Sequence, residues 1–340
     1  GFLQMIRQED YLSTQEENSR AMRKLDLAQC VLSLPILPPS AGVAQACCIT
    51  GFHDFKRGRR LESIRFYDRG LSIYRLLSAE NPQCLYRYAA ESGTIGFLMS
   101  ATNEYQPRSA ELLRQAVAIW KRLEQEQPGK YRVEYATACD NLGYQLSLSH
   151  DVATHREAEA VLREALAIRQ QLYQQDPGRF RRDYAWTADN LGKVLTRDSG
   201  SFAEAEELLR TALQLREEMN RESGGKNISE VAWTCHNLGQ LLAKKPEYAA
   251  EAEQCYRTSI RLRQKLEQLS PGTHAADTSW VMFWLAELLS HDPARHAETG
   301  ELYCAALEIQ QKVEQEHPGM FVLNIDRIRE RYESFRNGIQ

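Results

Sequence analysis

Aromatic, amide and cationic side chains recur at helical spacing in the middle of the chain. Trp186, Asn190 and Lys193 are four and three positions apart, so one face of a helix carries all three. An asparagine amide offers a donor and an acceptor together, which suits the N–H and C=O groups of an extended peptide. Tryptophan is enriched among the residues that dominate binding at protein interfaces. The pattern predicts a surface that binds a peptide.

The same stripe recurs along the chain. Trp233 and Asn237 follow Trp186 and Asn190 after 47 residues, and a second stripe of Asp140, Asp189 and His236 precedes the asparagines by one residue. The candidate binding residues are Asp140, Asn141, Tyr144, Trp186, Asp189, Asn190, Lys193, Trp233, His236, Asn237, Gln240 and Trp280. We expect the asparagines to be exposed in the absence of a ligand. In the alternative interpretation, they bond the neighbouring helix and the tryptophans pack between units.

Other kinds of site find little support in the sequence. The chain has no GxSxG, P-loop, HExxH or strand-linked GxGxxG motif, so we predict no catalytic residue and no cofactor. His291 and His296 are five residues apart, which does not place two metal ligands on one helical face. No CxxC pair occurs among the eight cysteines, which favours buried free thiols in a reducing compartment. We therefore predict no metal site and a cytoplasmic protein.

Charge and hydropathy narrow the class of partner. The net charge is -4, which gives no reason to expect nucleic acid or an anionic membrane. No apolar run reaches the roughly 18 residues of a membrane span, and no signal peptide is recognisable.

The chain begins at Gly1, so we expect a fragment of a longer protein. The oligomeric state is left open.

A repeated helical unit must position these residues. Each unit carries one small residue in a first helix and one in a second, with a bulky residue three positions before the second. The small residues of the first helices are Gly51, Gly96, Gly143, Gly192, Gly239 and Ala286. Those of the second helices are Gly70, Ala116, Ala165, Ala212, Ser259 and Ala306. Small residues in register let two helix backbones approach closely, which predicts pairs of packed helices.

The packing signature resembles that of the tetratricopeptide repeat family. The best copy is Asn190-Leu191-Gly192 followed by Ala205, Leu209 and Ala212-Leu213, and the likeness covers about residues 41–318. The repeat is near 47 residues instead of the common 34. This length resembles the long-helix variants of kinesin light chains and of bacterial sensor and signalling arrays.

The resemblance implies an all-α fold, a right-handed superhelical α-solenoid of about six hairpins. Residues 1–40 are predicted to form a helical cap or the remnant of a preceding unit, and residues 319–340 a C-terminal capping helix. The six repeats are predicted at about 41–82, 83–128, 129–177, 178–225, 226–271 and 272–318.

The resemblance also implies a function. In this family the first helices line a concave groove, where a peptide or a partner segment binds. We therefore expect a scaffold for protein–protein interaction without enzymatic activity, the sensor or adaptor part of a larger protein. Two alternatives remain at this point: a structural or oligomerisation arm, and a regulatory array of an NTPase or protease domain upstream of Gly1.

Overall fold

The computed structural model describes residue 25 and residues 38–100, 105–149, 151–316 and 322–339. All the regular structure in these ranges is helical. Nearly all of the predicted N-terminal segment 1–40 lies outside these ranges, as do residues 317–321 at the predicted boundary between the last repeat and the capping helix. The α-helices are α1 (Ala41–Lys56), α2 (Arg60–Leu77), α3 (Pro82–Ser100), α4 (Gln106–Glu126), α5 (Arg132–Ser147), α6 (Val152–Gln175), α7 (Pro177–Leu195), α8 (Phe202–Glu222), α9 (Ile228–Leu242), α10 (Ala249–Leu269), α11 (Ala275–Leu289), α12 (His296–Glu316) and α13 (Val322–Ile339). The predicted all-α helical-repeat class is confirmed.

Local signals explain where the helices begin. Asp176 caps α7, because its side chain accepts a hydrogen bond from the Arg179 N–H at 3.1 Å. Pro177 follows in the first turn, where the missing N–H of proline costs nothing. Ser40 caps α1 in the same way by accepting from the Val43 N–H at 3.3 Å.

Small residues set the distance between the two helices of a pair. A Cβ added to Gly192 on α7 would lie 2.7 Å from Cγ of Leu209 on α8, and one added to Gly143 on α5 would lie 2.3 Å from Cγ of Leu162 on α6. Real Cβ atoms do not approach so closely, so the first helix must present glycine there. Where the second helix carries serine in place of alanine, the hydroxyl bonds the facing backbone: Ser109 Oγ donates to the Gly96 carbonyl at 2.7 Å.

The chain divides into two compact units, residues 1–172 and 173–340. In the first unit, buried aromatic and aliphatic residues of α1 to α4 form one core, which includes Tyr67, Tyr74 and Met99. A second core surrounds Trp120 on α4, which is 3% exposed as expected for a core residue.

In the second unit, α7 packs on α8, α9 on α10 and α11 on α12. Helix α13 closes the last pair. Ile328, which is fully buried, packs with Phe283 of α11 and Tyr303 of α12. The final helix therefore covers the apolar face that α11 and α12 leave.

Candidate functional site

The candidate residues fall in both units. Asp140, Asn141 and Tyr144 lie on α5 in the first unit. The others lie in the second unit on α7, α9 and α11. Helices α7 and α9 contact each other directly, so the structure brings together the residues that these two helices carry. We name the surface of Trp186, Asn190, Lys193, Trp233 and Gln240 the α7–α9 face.

Burial divides the candidates into two groups. The half-buried residues are Asn141, Tyr144, Trp186, Lys193, Trp233, Gln240 and Trp280. The buried residues are Asp140, Asp189, Asn190, His236 and Asn237. The expectation that the asparagines are exposed without a ligand is wrong for Asn190 and Asn237, which are 3% and 2% exposed. The sequence gives the helical face of a residue, but not how closely the next helix approaches it.

Asn237 takes part in a buried polar contact between two first helices. Its Nδ2 donates to Oδ2 of Asp189 on α7 at 3.1 Å. The same carboxylate oxygen lies 3.4 Å from Nη1 of Arg216 on α8. Asp189 is fully buried and Arg216 is 2% exposed, so the charges compensate each other inside the protein. This contact agrees with the alternative interpretation for Asn237, in which the amide bonds the neighbouring helix.

Beside this contact, three polar atoms lack a hydrogen-bond partner among the residues that the structure describes. They are Nδ2 of Asn190, Oδ1 of Asp189 and Nδ1 of His236. Leaving a buried polar group unpaired costs about 1–3 kcal/mol, and such groups are uncommon in native proteins. Helices α7 and α9 thus hold unused hydrogen-bonding capacity at the level of the asparagine stripe.

The second helices contribute buried arginines that our sequence analysis did not identify. Arg169, Arg216 and Arg263 follow one another at intervals of 47 residues, each four positions after the small residue of its helix. Their exposures are 3%, 2% and 3%. Gln310 holds the next equivalent position and is fully buried. The recurrence of arginine on a packing stripe was the available signal, because long charged side chains otherwise belong on solvated faces.

Two of these arginines pair with the aspartate of their own helix pair. In the first unit, Nη2 of Arg169 lies 3.2 Å from Oδ2 of Asp140 and donates to Thr137 Oγ1 at 2.8 Å. In the second unit, Arg216 pairs with Asp189 and also donates to the Thr234 hydroxyl. The aspartates of the second stripe therefore neutralise buried guanidinium groups.

Arg263 is placed differently, because His236 occupies the position that Asp189 and Asp140 hold elsewhere. Nη1 of Arg263 instead donates at 2.8 Å to Asp277, whose side chain is 45% exposed. Burial and the positive charges of Arg263 and Lys193 lower the pKa of His236 to about 3. The imidazole is therefore neutral at physiological pH, and it supplies no counter-charge.

Cations lie over the indole rings of the α7–α9 face. The Arg263 guanidinium carbon and Lys193 Nζ are each 5.7 Å from the centroid of the Trp233 ring, and the Arg216 carbon is 6.0 Å from that of Trp186. Such contacts are worth about 0.5–2 kcal/mol each. Burial lowers the pKa of Lys193, while Asp189 opposes that shift. Both rings remain half-buried.

The cation over the Trp280 ring belongs to the last helix, α13. The guanidinium carbon of Arg327 on α13 lies 5.3 Å from the centroid of the Trp280 ring and 5.4 Å from that of Trp284. The face of α11 is thus shared with α13, which distinguishes it from the α7–α9 face.

Metal and thiol chemistry have little support in the part of the chain that the structure describes. No cluster of three or more His, Cys, Asp or Glu side chains there could hold a metal ion. Burial raises the pKa of Cys139 and of Cys235 to about 12, so these thiols stay protonated at neutral pH. Within the same ranges, none of the helices combines the length and the apolar character that a membrane span requires.

One comparison with known proteins, against family models, agrees with the repeat pattern. The family model described as "Tetratricopeptide repeat" matches residues 185–220, which span the end of α7 and nearly all of α8. No curated protein sequence matches the chain. Among solved structures, the chain is similar to BtubC (BKLC) from P. vanneervenii, with 16% identity and a TM-score of 0.48 over 80% of this chain and 89% of that one. Residues 185–220 are therefore similar to a tetratricopeptide repeat, and the described helices pack in pairs as that resemblance implies.

Proposed function

We propose that the chain is a protein–protein interaction scaffold whose α7–α9 face binds an extended segment of a partner protein. A tetratricopeptide repeat is consistent with a protein-binding role. Within this proposal, the chain is the sensor or adaptor part of a larger cytoplasmic protein and carries no catalytic activity of its own.

The observation that carries the proposal is the combination of accessible indoles with unused hydrogen-bonding groups. Trp186 and Trp233 are half-buried, and cations lie over their rings. On the same helix as Trp186, the buried Nδ2 of Asn190 has no partner among the described residues. Unpaired buried donors are uncommon in native proteins. The main chain of a bound segment would offer a carbonyl that accepts a hydrogen bond from this donor.

The two central asparagines therefore receive different roles. Asn237 holds α9 against α7 through Asp189, so its amide is committed to the fold. The Nδ2 donor of Asn190 bonds the ligand in this proposal, and the indoles of Trp186 and Trp233 contribute contact area. First helices in successive pairs lie roughly 8–10 Å apart, so one such donor meets an extended peptide about every third residue.

Selection from a displayed library of random peptides, about 12 residues long, tests the proposal. The counter-selection uses the double variant Trp186→Ala/Trp233→Ala, so that only peptides that need the α7–α9 face survive. We expect Asn190→Ala to weaken a selected peptide by about 0.5–1.5 kcal/mol, which is the net value of one hydrogen bond. We expect Asn237→Ala mainly to lower the urea midpoint of unfolding.

Two results would contradict the proposal. One is a set of selected peptides that bind the double tryptophan variant as tightly as the parent chain. The other is an Asn190→Ala variant that unfolds at lower urea concentration while its affinity for the peptide is unchanged, since Asn190 would then serve the fold alone.

A further inference from the structure

A groove opens in the second unit where α10, the loop that follows it, α11 and α12 meet. Its volume is about 700 Å³. The apolar part of its lining comes from α11 and α12 and consists of Ala275, Met282, Ile309 and Val313. Binding sites for small molecules have volumes of about 300–1,000 Å³ and combine apolar walls with a few polar groups. The groove has the size and the walls of such a site.

Helix α11 carries small residues on the face that lines this groove. Thr278 lies eight positions before the small residue of its helix, and Ala275 lies eleven positions before it, so both are on one helical face. At the position of Thr278, α3, α5, α7 and α9 carry Tyr88, Tyr135, Tyr184 and Val231. At the position of Ala275, the same helices carry Leu85, Arg132, Arg181 and Ile228. The groove therefore lies where the other repeats place larger side chains.

The tyrosines of the other repeats indicate what kind of group fits there. The ring of Tyr184 stacks on that of Tyr173, with the ring centroids 5.1 Å apart. Glu267 and Thr278 hold the positions that correspond to this pair, and both line the groove, so neither ring is present. Met282 lies beside the space, and a flexible thioether makes favourable contacts with aromatic rings. The space matches an aromatic ring.

The charges of the lining add a second requirement. Lys312 is exposed at the groove. Glu267, the acidic residue of the described lining, accepts hydrogen bonds from the backbone N–H groups of Gly272 and His274, so its carboxylate serves the loop. The charge that remains for a ligand is positive, which favours a negatively charged substituent.

We propose that this groove binds a small aromatic molecule with a negatively charged substituent. The ring of the ligand lies beside Met282 and takes the place of the tyrosine ring that α11 lacks, and its charge lies beside Lys312. The groove shares no residue with the α7–α9 face. The proposal therefore goes beyond the proposed function and does not depend on it.

The chain's own repeats provide the variants that test this site. Ala275→Ile and Thr278→Tyr copy the residues of α9 and α7 at the same positions, so each should fill the groove from within. Thr278→Val copies the residue of α9, keeps the size of the side chain and serves as the control. Lys312→Gln removes the positive charge. Urea midpoints establish which variants are folded, and either filling variant tests the site without the other.

The probe is sodium phenylacetate, and its neutral and non-aromatic analogues are phenylacetamide and cyclohexylacetate. The readout is the NMR signal of the isotope-labelled Met282 methyl group, identified by its loss in Met282→Leu. We expect phenylacetate to shift this signal saturably, with a dissociation constant on the order of millimolar for so small a ligand.

The variants should change this constant to different extents. It should increase about tenfold or more in Ala275→Ile and in Thr278→Tyr, because a filled groove has no room for the ring, and stay within about twofold in Thr278→Val. Lys312→Gln should weaken phenylacetate by about threefold, as should the exchange of phenylacetate for phenylacetamide, because the ion pair is exposed to solvent.

Four results would overturn the proposal. A shift that stays linear in phenylacetate concentration would show that there is no site, and unchanged binding in the folded filling variants would place the ligand elsewhere. Cyclohexylacetate that binds as tightly as phenylacetate would refute the requirement for an aromatic ring. Phenylacetamide that binds as tightly would refute the requirement for a negative charge.

Discussion

Replacing Asp189 by alanine should destabilise the second unit more than any other single charge removal on α7. The side chain is fully buried, and its loss leaves Arg216, which is 2% exposed, without a counter-ion. Breaking a buried ion pair from one side costs about 3–5 kcal/mol. Arg216 keeps its bonds to the Thr234 hydroxyl and the Glu230 carbonyl, which favours the lower end of that range. The unpaired Asn237 amide adds a further cost, so we expect about 4 kcal/mol in total.

Urea denaturation followed by circular dichroism measures this loss, with midpoints compared between variants. Glu251→Ala is the control. It removes a partner of Arg210, and both side chains of that pair are exposed, at 39% and 42%, so we expect a loss below about 1 kcal/mol. Adding Arg216→Gln to Asp189→Ala should restore about 2 kcal/mol, because no buried charge then remains. Equal midpoints for Asp189→Ala and Glu251→Ala would refute the reasoning.

Three further predictions concern pH and packing. The pKa of His236 is about 3 in the folded state against 6.5 in the unfolded state, so below pH 6.5 only the unfolded state gains the proton and the free energy of unfolding falls as the pH falls. Between pH 7.5 and pH 5 the wild-type chain should lose about 2 kcal/mol of stability that His236→Asn does not lose, as measured by urea midpoints at the two pH values. Ala212→Leu should overfill the contact between α8 and α7 and lower the free energy of unfolding by about 1–3 kcal/mol. An unchanged melting temperature would place Ala212 outside a tight contact. Gly143→Ala should destabilise the protein, since its Cβ would lie 2.3 Å from Leu162. In Gly93→Ala the Cβ would lie 3.7 Å from Ala116, so this variant should be neutral or stabilising; urea denaturation measures both.

The sequence predicts the packing of the helix pairs well, because that packing depends on residue size at fixed spacing. Gly192 and Leu209 illustrate this: the repeat makes one small and the other bulky, and the structure places them in contact. A 3.6-residue period then fixes which face of each helix is buried against its partner. The helix-pair fold follows from these two regularities.

The candidate site could be predicted only in part. The stripe of Trp186, Asn190 and Trp233 was visible from its spacing, but the burial of Asn190 depends on how closely α9 approaches α7. Arg216 was missed because its partner Asp189 lies 27 residues earlier, and nothing in a local pattern connects the two. Buried ion pairs depend on tertiary contacts, whereas helical periodicity reports one helix at a time.

Site-specific photocrosslinking tests the central claim, that a peptide binds on the α7–α9 face, most directly. Gln240 on α9 and Leu269 on α10 would each be replaced by p-benzoylphenylalanine in separate variants. Leu269 is 67% exposed at the C-terminal end of a second helix and serves as the control. A selected peptide should crosslink from position 240 and not from position 269. Crosslinking from position 269 alone would place the ligand on another surface and contradict the account.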